Sequence, residues 1–202
     1  MDIYLESIIL FVFLLPIWII TRIIVFRLNS RIKKEFSLKR EILLNIFFIY
    51  IICFIGVTLF PLKINFNADN TWILINAIPV MNTVKEITNI AENPNMYSFM
   101  IVFWIKNIVG NLILLFPLGI IMPILWNKFS NGFRVIVFAF SISLSIEVLQ
   151  LLSSYIGNIG RIFDIDDILL NTIGALIGYI IYKKFIMNKL NLFKNKYLKN
   201  LM

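Results

Sequence analysis

Five stretches of about twenty residues are long and apolar enough to cross a bilayer, and this leaves the chain few ways to fold. They cover residues 5–26, 42–60, 108–126, 133–152 and 165–186. A hydrocarbon core about 30 Å thick takes roughly 20 helical residues at 1.5 Å each. Because that core holds no water, each backbone N–H and C=O must be bonded inside its own helix. Hydrophobic residues make up 60% of the 202-residue chain and charged residues 15%, against roughly 25% charged in a soluble domain. The expected fold is an all-α polytopic membrane protein with five transmembrane helices, forming a single membrane domain over residues 1–202. Lys106, Asn107 and Gly110 interrupt the apolar run that leads into the third window, so residues 99–105 are read as an interfacial or re-entrant segment.

Orientation follows from where the cations fall. Fourteen Lys and Arg lie in the 27–41 connection, around Lys128 and Arg134, and in the tail 183–202; five spans put all three segments on one side. The other side keeps Lys63, Lys85 and Arg161, with Lys106 near its boundary. The N-terminus is thus expected outside and the basic tail in the cytoplasm. Asp2 and Glu6 replace the basic n-region of a cleaved signal, so the first window reads as a retained span. Net charge +8 is explained by this topology and by attraction to anionic inner-leaflet lipids, and nucleic acid is not an expected partner. The tail segment Lys189–Lys199 reads as amphipathic and interfacial. Without histidine, and with Cys53 the lone cysteine, a Cys/His zinc cluster, a His-based triad and an internal disulfide are excluded.

Acidic and amide side chains inside such windows are costly, which makes them candidates for function. Asp164, Asp167, Asn171, Gly174 and Gly178 are spaced three, four, three and four apart, one face of a helix, with Asp166 pointing away. The glycines would let another helix approach closely, and the fourth window is the expected neighbour. It carries Ser143, Glu147, Gln150 and Ser154 on one face of its own, and the third window adds Asn107, Asn111 and Gly119. Helix rise puts Asn111, Glu147 and the stretch from Asp164 to Asn171 within roughly 10 Å of the outer boundary, so one outward-open site is expected. A structural role competes for each residue: Glu147 and Arg161 as an ion pair, Asp164 as a helix cap, Asn111 and Gln150 as interhelical glue.

The ordered set Arg161-x2-Asp164-x2-Asp167-x3-Asn171-x2-Gly174-x3-Gly178 resembles the VanZ-like family. Supporting it are Ser143-x3-Glu147-x2-Gln150, and Asn111 ahead of Phe116-Pro117-Leu118-Gly119 with Pro123. Thr58-Leu59-Phe60-Pro61 and Asn76-x2-Pro79 are fainter echoes. The resemblance covers about residues 56–180. It implies a multi-pass protein of the cell membrane that gives low-level protection against teicoplanin-type glycopeptide antibiotics.

Three functions fit these residues. In the first, Asn111, Ser143, Glu147, Gln150, Arg161, Asp164, Asp167 and Asn171 bind an envelope lipid, a lipid-linked cell-wall intermediate or a lipoglycopeptide acyl chain; this needs no cofactor. In the second, the chain is an intramembrane enzyme acting on an envelope lipid, with Glu147, Asp164 and Asp167 as general acid/base groups or as ligands of a divalent cation such as Mg²⁺ or Ca²⁺. In the third, a membrane carboxylate carries protons in an ion-coupled transporter.

Overall fold

The structure, a computed structural model, describes residues 2–31, 37–65, 75–79, 88, 97–157 and 161–187. Five helices dominate it: α1 (Ile8–Arg31), α2 (Leu38–Leu59), α3 (Tyr97–Leu125), α4 (Gly132–Gly157) and α5 (Ile165–Ile181). All five are long and apolar enough to cross a membrane. Four short strands join them: β1 (Asp2–Leu5), β2 (Leu62–Asn65), β3 (Ile75–Asn76) and β4 (Phe163–Asp164). A 3₁₀ turn, Asn127–Phe129, follows α3, and a π-helical turn, Tyr182–Met187, ends α5. The tail from residue 188 on, and most of the long segment between β2 and α3, lie outside the described residues.

Three features differ from expectation. Residues 99–105 form no re-entrant turn: α3 runs unbroken from Tyr97 to Leu125, and Lys106, Asn107 and Gly110 do not interrupt it, ahead of and into the stretch Ile105–Leu125 that is long and apolar enough to cross a membrane. α1 extends through Arg31 and α2 starts at Leu38, so most of the expected basic connection is helical, with Glu41 in the first turn of α2. The strands add to the expected all-α pattern, because ladders of two to four residues leave no usable periodicity in a sequence.

The chain divides into two compact units. One joins residues 1–74 to 148–162; the other joins 75–147 to 163–202. In the first, β1 pairs antiparallel with β2, Asp2 opposite Asn65 and Leu5 opposite Leu62. Its helices α1 and α2 are sewn together by polar groups. Arg22 forms a fork-like ion pair with Glu41, its guanidinium lies 5.5 Å from the centre of the Trp18 ring, and Trp18 stacks on Phe48 at 4.4 Å. Trp18 Nε1 also donates to Asn45 at 2.8 Å. An arginine inside a span is tolerable because its charge and its donors are matched this way. The window of α1 buries none of its residues, which suits lipid rather than water as its surroundings.

In the second unit the most extensive packing is between α3 and α5. A Cβ on Gly119 would overlap the Ala175 carbonyl oxygen, one on Gly174 that of Leu112, and one on Gly178 that of Phe116. Only glycine lets the two backbones come so close, and dispersion attraction along the seam holds the helices together where lipid offers no hydrophobic drive. Leu115 and Leu118 of α3 and Ala175 of α5 are buried. Near the Asn127–Phe129 turn, Val135, Tyr179 and Tyr182 form a second buried cluster with Phe129 and Met187 against it. Tyr179 pins the turn by donating to the Ser130 carbonyl at 2.6 Å.

Candidate functional site

In the second unit the polar groups converge on the N-terminus of α5. β3 and β4 pair in parallel with Asn76 beside Asp164, and the Asn76 amide donates to the Asp164 carboxylate at 2.9 Å. Asp164 is the N-cap of α5, extended at φ −125° and ψ 119°. Its carboxylate also accepts from the Asp166 backbone N–H at 2.9 Å, satisfying one of the donors that every helix start leaves open. Asp166 and Asp167 fill the first turn, where negative charge complements the helix dipole.

Glu147 is 2% exposed and accepts from the backbone N–H of Asp164 at 3.0 Å. A carboxylate so enclosed needs hydrogen-bond donors in place of water, and the N-terminus of α5 supplies one with favourable polarity. Asn111 of α3 donates to the Asp167 carboxylate, with its own amide 3.4 Å from the Asn107 oxygen. Deeper along α5, the Asn171 amide donates to Ser143 Oγ at 2.9 Å. Both side chains are fully buried, and Asn171 Oδ1 has no hydrogen-bond partner among the described residues.

Thus the structure brings Asn111, Ser143, Glu147, Asp164, Asp167 and Asn171 into one unit, linked through α5. Two expectations need correction. Asp164 precedes the helix and caps it, so the helical stripe begins at Asp167. The glycines do not face α4: Gly174 and Gly178 lie against α3, while Asn171, on a neighbouring part of the face, reaches α4. Spacing shows that residues share a face but not which helix meets it. Asn76 joins the site although the sequence reading does not include it among the site residues, and its only signal there is its place in a weak echo motif.

Gln150, Ser154 and Arg161 belong to the first unit. There the Gln150 amide donates to the Thr58 carbonyl at 2.8 Å. The Arg161 guanidinium donates to that same carbonyl and, at 3.2 Å, to that of Phe60. Ser154 Oγ accepts from the Arg161 backbone N–H at 2.9 Å and donates to its carbonyl at 3.0 Å. Arg161 therefore closes the C-terminal end of α2, whose last carbonyls lack helical partners and favour a cation. Main-chain acceptors of this kind leave no trace in a side-chain pattern.

Among the described residues no group of three or more His, Cys, Asp or Glu side chains is placed to hold a metal ion. Glu147, Asp164 and Asp167 are therefore not brought together as the ligand set expected for Mg²⁺ or Ca²⁺. Their partners include amide and backbone N–H groups.

Five helices long and apolar enough to cross a membrane, with an acidic, amide-rich cluster at the start of the last one, define a multi-pass membrane protein. The VanZ/LLP1 family model matches residues 47–188, more than two thirds of the chain, and the protein belongs to that family. The match spans the residues of both polar clusters and leaves α1 outside. Among curated proteins and among solved structures, nothing matches.

Proposed function

We propose that the protein is a cell-membrane envelope factor whose cluster at the N-terminus of α5 binds the head of a lipid-linked or acyl-chain-bearing envelope molecule, and so lowers susceptibility to teicoplanin-type lipoglycopeptides. The observation that carries this is the enclosed Glu147 carboxylate held by the Asp164 N–H, beside two carboxylates fixed by Asn76 and Asn111. Preorganised acceptors of this kind suit a headgroup rich in hydroxyl, amide or ammonium donors, as glycan- or peptide-bearing lipids have, while the apolar flanks of the helices suit its chains. The family implies the link to glycopeptide antibiotics. An outward-facing site fits the charge pattern: in this unit Lys128, Arg134, Lys183 and Lys184 lie at the opposite ends of the spans from Glu147, Asp164 and Asp167.

The test is teicoplanin susceptibility in cells making Glu147→Gln or Asp167→Asn at matched membrane levels. Both variants keep shape and lose charge, so protection is expected to fall toward that of cells without the protein. Full protection by both would show that the carboxylates are irrelevant.

A further inference from the structure

At the other end of the α3–α5 unit, Lys128 of the 3₁₀ turn and Arg134 of the first turn of α4 border a groove of about 320 Å³, lined also by Phe129, Phe133, Val137 and Phe138. The groove is apolar along α4 and open: Phe133 is 72% exposed and Val137 47%. Its base is fixed, since Phe129 and Phe138 meet with ring centres 5.1 Å apart and Tyr179 pins the turn at Ser130. Arg134 donates to the Lys128 main-chain carbonyl at 3.2 Å, which ties the two cationic residues of the lining together and uses one of five guanidinium donors. No Asp or Glu occurs between Glu92 and Glu147, and among the described residues neither cation is paired with a carboxylate.

We propose that this groove binds one anionic phospholipid, its headgroup phosphate between Lys128 and Arg134 and an acyl chain along Phe133, Val137 and Phe138. Charge selects the occupant. The chain's own tail carries six lysines and no acid over residues 183–202, so the two cations repel it, and a second copy would bring the same cations to the contact. A phosphate diester attached to hydrocarbon supplies both the charge and the apolar length. The site lies apart from the acidic cluster and depends only on the helices spanning a membrane.

The protein would be purified from membranes into vesicles of phosphatidylcholine with a minority of phosphatidylglycerol, and retained lipid measured by native mass spectrometry. Phosphatidylglycerol is expected to be enriched over phosphatidylcholine. Each cation near a membrane surface is worth roughly a fivefold change in affinity, so Lys128→Gln/Arg134→Gln is expected to reduce retention about 20- to 30-fold. Lys183→Gln/Lys184→Gln, which removes the same charge nearby but outside the groove lining, should reduce it far less. Val137→Trp, which fills the groove without touching charge, should also lower it. Equal loss in both charge pairs would reduce the effect to general surface attraction and overturn the site, as would undiminished retention in Lys128→Gln/Arg134→Gln. Displacement of the lipid by inorganic phosphate, or indifference to Val137→Trp, would equally overturn a lipid site that uses the groove.

Discussion

Replacing Gly174 with alanine should loosen the α3–α5 seam, although alanine is the better helix former. Two effects oppose each other. Intrinsic propensity favours alanine by about 1 kcal/mol inside a helix. Against it, the new Cβ would overlap the Leu112 carbonyl oxygen, a backbone atom that no rotamer change can move aside. Overpacking of this kind costs about 1–3 kcal/mol, and a rigid obstacle argues for the upper part of that range, leaving a net loss of about 1–2 kcal/mol. Gly110 of α3 is the internal control, because a Cβ there meets no atom within 4 Å. With only propensity in play, Gly110→Ala should be neutral or stabilising by up to about 1 kcal/mol. Unfolding in mixed micelles titrated with a denaturing detergent, followed by circular dichroism, gives both differences against the unmodified protein. A Gly174→Ala protein as stable as the unmodified one, or more so, would refute the glycine-mediated seam.

Other perturbations read out the polar contacts one at a time. Asp164→Ala removes the α5 cap and the Asn76 tether and should cost about 1–2 kcal/mol, whereas Asp164→Asn, itself a good cap, should cost less; the same titration separates them. Ser143→Ala strips the buried Asn171 amide of its partner and should cost about 1–3 kcal/mol, much of it regained in Ser143→Ala/Asn171→Leu, where neither polar group remains. Arg22→Leu or Glu41→Leu should each destabilise by leaving one charge of the pair uncompensated, and the double replacement should recover most of the loss. For orientation, in a Cys53→Ser background a cysteine at Ile162 should react with membrane-impermeant thiol reagents in intact cells and one at Asn131 should not; labelling at Asn131 alone would reverse the topology.

Much of this architecture is legible in residue order, because bilayer thickness turns composition into helix count. The five windows correspond to the five helices, and the Asp167, Asn171, Gly174 and Gly178 stripe is one helical face. Partner choice is less legible. Gly119 meets Ala175, and Gly174 meets Leu112, because small residues happen to face backbone, which depends on crossing geometry and not on spacing. Asp164 has a helical offset from Asp167, yet an N-cap residue carries the same offset while sitting outside the helix. Arg161 bonds to main-chain oxygens that any residue would provide, so nothing in the identities of Thr58 and Phe60 announces it. Arg22 lies in the first window, whereas Glu41 falls just ahead of the second, in what reads as a connection. Once α2 is seen to begin at Leu38, the arginine in the first span has its acid.

The claim that the acidic cluster receives an envelope ligand is tested most directly by placing a photo-crosslinking residue at Phe163, next to Asp164, and identifying the captured molecule by mass spectrometry from irradiated cells. The adduct is expected to carry a lipid-linked or acyl-bearing molecule with a donor-rich headgroup, enriched over its share of the membrane and lost when Glu147→Gln is added. Capture of bulk phospholipid in proportion to its abundance, unchanged by Glu147→Gln, would contradict it.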